Sequence, residues 1–130
     1  DRAIAIPLSR KAANRAMLNT NAGTCAKYAD SARAEEYLRR ALAEDPRFPD
    51  ALLQMGEVSL DRGKALQARG FVERYLDVAK ASPAILWLGV RVERALGDGA
   101  AARRYGDQLV KEFPEAGETR QFLAQPERRG

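Results

Sequence analysis

The chain has 130 residues, about one ordinary domain, with 45% apolar, 31% charged and only 7% aromatic residues and a net charge of +4. That mixture, rich in Ala, Leu, Glu and Arg, suits a helical protein and excludes disorder throughout. The absence of His removes an imidazole base, a Ser-His-Asp triad and imidazole metal ligands, while the single Cys25 can form neither an internal disulfide nor a paired-thiol zinc or redox motif.

The chain opens at Asp1 with neither an initiator Met nor a hydrophobic leader, which predicts a processed or truncated piece. Apolar spacing predicts a first helix over 9–28 and a second over 31–44, the latter ended by Asp45-Pro46 because Pro cannot continue the hydrogen-bond ladder. A third is predicted over 50–62, where Leu52, Met55, Val58 and Leu60 fall at helical spacing, with Gly63 suited to the left-handed turn that closes it. The fourth spans 65–80. Ser82-Pro83 then supplies a capping oxygen and a proline where no amide is needed, starting a fifth helix over 83–96 with Ile85, Leu88, Val92 and Leu96 as its core side and Gly97 at its end. Asp98-Gly99 turns into a sixth over 99–112, which Phe113-Pro114 stops, and a short helix over 117–124 precedes Pro126 and a polar tail, 125–130. No stretch reaches the roughly 18 apolar residues of a membrane span.

These elements repeat. Gly23, Gly56 and Gly89 are spaced by 33, and Ala34, Ala68 and Ala102 by 34, with Pro46 and Pro114 two periods apart. The physical reading is a set of helix hairpins in which Gly in the middle of the first helix and Ala early in the second let the helices approach closely. The predicted fold is all-α: a superhelix of about three hairpins, over 9–46, 49–80 and 82–114, plus a capping helix at 117–124, as a single array.

This pattern resembles the tetratricopeptide repeat family, with Gly23, Ala34, Leu38, Ala41 and Pro46 in the first copy, Leu52, Met55, Gly56, Ala68 and Val72 in the second, and Ile85, Leu88, Gly89, Ala102 and Pro114 in the third. The copies depart from it at Tyr75, where a small residue is usual, at Lys80 in place of Pro, and at Gly106 in place of a large residue. The segments 18–23, 86–91 and 102–109, with the closing Phe113-Pro114, are similar to the C-terminal half of type IV pilus pilotins of the PilF/PilW type. That resemblance implies a non-catalytic scaffold on the periplasmic face of the outer membrane that helps a pilus secretin subunit reach the membrane and oligomerise. It also implies an N-terminal lipid anchor, which is not Cys25, since Ala22-Gly23-Thr24 lacks the hydrophobic lead-in such an anchor requires.

First helices of stacked hairpins line a groove, and residues left over after core assignment are its candidate walls: Thr20, Thr24, Lys27 and Tyr28, then Leu53, Glu57, Leu60 and Asp61, then Leu86, Val90 and Arg94. Leu53, Leu86 and Val90 form an apolar stripe that could hold a partner helix or peptide, with Glu57 and Arg94 setting register, or could be buried by the curvature of the array. Trp87 is either an interface anchor or packing beside the helix that carries Tyr105. Arg33, Arg39, Arg40, Arg69, Arg74, Arg103 and Arg104 on second helices are interrupted by Glu35, Glu36, Glu44 and Glu73, which favours a solvated face with local ion pairs over a nucleic-acid or lipid patch. Cys25 reads as a buried, inert thiol. Carboxylates are too scattered to select a catalytic pair, no Gly-rich loop follows a strand, and neither a cofactor nor a metal is expected. The function classes that remain are a pilotin-type assembly factor, a general repeat adaptor of another complex, and a helical regulatory segment of a larger enzyme.

Overall fold

The computed structural model describes residues 31–124, which form six α-helices: α1 Ser31–Glu44, α2 Pro49–Asp61, α3 Ala65–Val78, α4 Pro83–Leu96, α5 Gly99–Glu112 and α6 Gly117–Ala124. The helix expected over 9–28, with Thr20, Gly23, Thr24, Cys25, Lys27 and Tyr28, lies outside the described residues. Helices α1, α3 and α5 begin 34 residues apart, and so do α2, α4 and α6. The odd series supplies the second helix of each hairpin and the even series the first, so α2 with α3 and α4 with α5 are complete hairpins.

Local chemistry sets these boundaries. Ser82 stands in extended conformation before α4 and accepts a hydrogen bond from the Ile85 amide at 3.3 Å, while Pro83 occupies the first turn, where no amide is needed. Asp98 does the same for α5, accepting from the Ala101 amide at 3.0 Å. Gly63 and Gly97 take φ of 77° and 81°, the left-handed region open to glycine at little cost. Each places its own amide and the next one on carbonyls of the helix just ended: Gly63 on Leu60 and Lys64 on Ser59, Gly97 on Arg94 and Asp98 on Glu93. Three ends differ from expectation. Pro49 is taken into the first turn of α2, which therefore starts one residue early, α2 stops at Asp61, one residue short, and α3 stops at Val78 because Ala79 is already extended.

Packing runs along the stack. Ala34, Leu38, Met55 and Val58 form one buried cluster, and Leu52, Val72, Ile85, Leu88, Val92 and Leu109 belong to a second. Leu42 and Phe71 pack against both, so the two clusters are joined into one continuous core. Each fully buried Leu or Val contributes roughly 1.5–3 kcal/mol by leaving water. Helix α4 is at the centre of this core, packed by α2, α3, α5 and α6.

Ala34, Ala68 and Ala102 are all buried, as the repeat pattern requires. At Gly56 the expected close approach of the hairpin's helices is present, with the Ala68 carbonyl 3.8 Å from where a Cβ would stand, and side chains fill the rest of the room the glycines leave. A Cβ on Gly56 would lie 2.7 Å from Leu88 Cδ2 of the next hairpin, and one on Gly89 would lie 2.8 Å from the Tyr105 ring. The unusual Gly106 has the same explanation. Phe122 of α6 rests on it, its ring filling the space where a Cβ would stand, and Thr119, fully buried, donates to the carbonyls of Leu109 and Phe113 at the end of α5. The large residue missing from α5 is thus supplied by the capping helix. Tyr75, where a small residue is usual, is buried at the foot of α3 and its hydroxyl donates to Ser82 Oγ at 3.3 Å, tying the end of one hairpin to the start of the next.

Candidate functional site

The first-helix face is built from α2 and α4. On α2, Leu53, Glu57 and Leu60 are each half-buried, at successive turns of one side of the helix. Leu53 and Leu60 rest on the larger core cluster and keep part of their surface open. Glu57 is held by Arg91 of α4 in a two-pronged ion pair, Nη1 to Oε1 at 3.1 Å and Nη2 to Oε2 at 2.8 Å. This geometry fits the planar guanidinium to the carboxylate and ties consecutive repeats across the face.

The apolar stripe expected from Leu53, Leu86 and Val90 is not continuous at the surface. Leu86 and Val90 are both 0% exposed, because helices pack on four sides of α4. They are core residues, and of the stripe only Leu53 reaches the surface. Trp87 is 9% exposed and joins the same core, which favours packing over a protruding anchor. Its ring is covered by cations: the guanidinium carbons of Arg91 and Arg94 lie 5.6 Å and 5.9 Å from its centroid, within cation–π range. Arg94 also lies 5.7 Å from the Phe122 centroid, so the capping helix completes this wall.

The face thus presents two half-open leucines, a neutralised Glu57–Arg91 bridge and an aromatic-backed Arg94. Gln54 Oε1 and Arg91 Nε are buried there with no hydrogen-bond partner among the described residues. An unsatisfied buried polar atom costs about 1–3 kcal/mol, and an approaching peptide group can relieve it. Sequence reasoning missed Arg91. The signal was available, since Glu57 and Arg91 are 34 residues apart, one repeat period.

The second-helix face is dominated by ion pairs. Arg39 and Arg40 bind Glu35 and Glu36 one helical turn away, at 2.7 Å and 3.4 Å, and Arg74 donates to the Pro46 carbonyl at 3.1 Å. Glu35 is 4% exposed and is also reached by Arg62 and Lys64. Burial pushes its carboxyl up, but the Arg39 hydrogen bond and the fields of Lys64, Arg39 and Arg62 outweigh this and hold it below the ordinary value. Arg69 binds the buried Glu93 through two hydrogen bonds, which raise the guanidinium's already high pKa further. An open cleft of about 460 Å³ between α3 and α5 is floored by this pair and walled by Glu73, Asp98, Arg104 and Tyr105. Burial, followed by the fields of Glu93 and Glu73, raises the Tyr105 phenol and keeps it neutral.

Among the described residues no group of three or more acidic or thiol side chains is placed to hold a metal ion, and no helix is long and apolar enough to cross a membrane.

Comparison with known proteins agrees with this architecture. A family model described as tetratricopeptide repeat matches residues 27–87. No curated protein sequence matches. Among solved structures, the chain is similar to PilW, described as a widely conserved type IV pilus biogenesis factor, with 30% identity and a TM-score of 0.75 over 83% of this chain and 50% of PilW. It is also similar in fold to PilF of Pseudomonas aeruginosa, with 24% identity and a TM-score of 0.74 over 87% of this chain and 51% of PilF. The chain spans about half the length of these structures. Tetratricopeptide repeats in general bind proteins. The chain therefore forms a tetratricopeptide repeat domain whose structural neighbours are type IV pilus biogenesis factors.

Proposed function

We propose that this chain is a non-catalytic protein-binding part of a type IV pilus biogenesis factor of the pilotin kind, working on the periplasmic face of the outer membrane. Its partner is the pilus secretin subunit, whose delivery to the membrane and assembly into a ring it assists. Attachment to the membrane runs through an N-terminal lipid anchor outside the sequence given, and the helices themselves stay in the aqueous phase. The observation that carries this reading is the match to PilW over 83% of the chain at 30% identity.

The first-helix face is the proposed contact, with Leu53 and Leu60 as apolar contacts and the Glu57–Arg91 bridge and Arg94 as polar ones. The other expected wall residues, Thr20, Thr24 and Lys27, lie outside the described residues. Leu86, Trp87 and Val90 serve it from beneath, holding α4 in place. The test is binding of the full chain to the purified periplasmic region of the secretin from the same pilus system. We expect Leu53→Asp, on a half-open position that the fold tolerates, to weaken binding tenfold or more, equivalent to about 1.4 kcal/mol. Undiminished binding by a variant with native helix content would reject this face, and absence of binding by the unaltered chain would reject the partner.

A further inference from the structure

Repeat arrays carry a hazard. Their hairpins are alike, so a hairpin of one copy can stack on the wrong neighbour or on a second copy while the array is open, and misassembly of this kind is a characteristic failure of repeat proteins. The two seams described here differ in one respect that bears on it. At the first seam, between α1 and the α2–α3 hairpin, the buried acid is on the second helix: Glu35 receives Arg62 Nη1 at 2.9 Å and Lys64 Nζ at 3.5 Å from the turn that ends α2. At the second seam, between α3 and the α4–α5 hairpin, the charges are reversed: Arg69 on the second helix gives two hydrogen bonds, of 3.0 Å and 2.6 Å, to Glu93 in the last turn of α4. Glu35 and Arg69 hold the same place, fifth in helices that start 34 residues apart, and so do Lys64 and Asp98, which directly precede α3 and α5.

We propose that this reversal of polarity selects which hairpin stacks on which, so that the array forms in one order and copies of the chain do not exchange hairpins. The wrong pairings follow from the positions. If α3 of one copy stacked on the α2–α3 hairpin of another, Arg69 would face Arg62 and Lys64. If α1 stacked on the α4–α5 hairpin, Glu35 would face Glu93 and Asp98. Both put like charges against a position where the native carboxylate is only 4% exposed, and an unpaired charge there is strongly disfavoured. The device is the helical-array counterpart of a single buried polar residue that fixes register in a coiled coil.

The experiment refolds the full chain from urea at several protein concentrations and follows its mass by light scattering. The unaltered chain returns to one size at all of them. The exchanged pair Arg69→Glu with Glu93→Arg gives the two second-helix positions the same charge, so that the new carboxylate on α3 of one copy would find Arg62 and Lys64 on the α2–α3 hairpin of another attractive. We expect at least a tenfold rise in dimers and larger species after refolding, reduced by added salt. The apolar pair Arg69→Met with Glu93→Leu removes the choice at one seam without reversing it, and a smaller rise is expected. Clean monomeric refolding of both pairs overturns the proposal. Failure of both to regain helix overturns it as well, since the bridge would then be holding the hairpins together rather than choosing between them. If only the exchanged pair fails to fold, the apolar pair decides.

Discussion

Helices α2 and α4 hold the same place in consecutive hairpins, yet matched residues on their groove side differ in exposure. Leu53 lies three residues before Gly56 and Leu86 three residues before Gly89, but Leu53 is half-buried and Leu86 is 0% exposed. The second place tells the same story, with Glu57 open enough to hold an ion pair and Val90 sealed one residue after its glycine. Among the described residues α2 is packed by α1, α3 and α4, and α4 by α2, α3, α5 and α6. Position within a repeat therefore fixes which helix a residue is on and its phase, while its exposure is fixed by what stacks next. A binding face read from repeat arithmetic alone must overcount, as it does here by Leu86 and Val90.

Truncation at the paired positions breaks the comparison most severely. Leu86→Ala removes a side chain enclosed on every side and should cost about 2–5 kcal/mol, the range for large-to-small changes in cores that cannot collapse. Leu53→Ala, at the matching place, should cost about 1 kcal/mol, in keeping with its partial exposure. Urea unfolding followed by circular dichroism measures both, and equal losses would show that the two helices are equally enclosed in solution.

Sequence could place the helices because their ends are decided by neighbours in the chain. Ser82-Pro83, Gly97 and Asp98 act within three residues, so the boundaries of α1, α4, α5 and α6 agree with expectation. The 34-residue period was legible for the same reason. What sequence could not give was contact across repeats. Glu35 reads as one of several charges breaking up a basic face, and only the fold brings Arg62 and Lys64 to it from the next hairpin. Gly106 looks like a lapse from the pattern until Phe122 is seen resting on it. The candidate face was half legible: Leu53, Glu57 and Leu60 are where periodicity put them, whereas Arg91 entered through a contact one full period away.

The seat of α6 is the next point at which the comparison can be altered. Gly106→Ala sets a methyl inside the space of the Phe122 ring and should cost about 1–3 kcal/mol, typical of overpacking. Its further effect is to lift α6 away and leave the end of α4 as open as that of α2, so amide hydrogen exchange should quicken in α6 and near Arg94. Gly70→Ala is the control within α3. Its methyl would meet nothing within 4 Å, and better helix propensity should make the protein more stable by roughly 0.5–1 kcal/mol. Helix starts differ too. Ser82 caps α4 with its side chain, whereas Phe48 before α2 makes no side-chain cap. Ser82→Ala should cost about 1 kcal/mol by leaving the Ile85 amide without its acceptor.

The smallest effect expected is at Glu35, beside the end of α2, and pH separates it from the rest. Its carboxyl is held below the ordinary value in the folded chain, so the folded state favours the charged form more than the unfolded state does. The stabilisation is complete above the unfolded value and disappears as the pH falls through the lower folded one. Glu35→Gln lacks this charge at every pH, so the unaltered chain should exceed it in stability at neutral pH, and the gap should close in acid. The gap should stay modest, since Arg39 and Lys64 have side chains 61% and 41% exposed and water screens their attraction. Parallel acid limbs for the two proteins would mean that Glu35 titrates alike in the folded and unfolded chains, and that its three cations choose the geometry of the seam without adding to its strength.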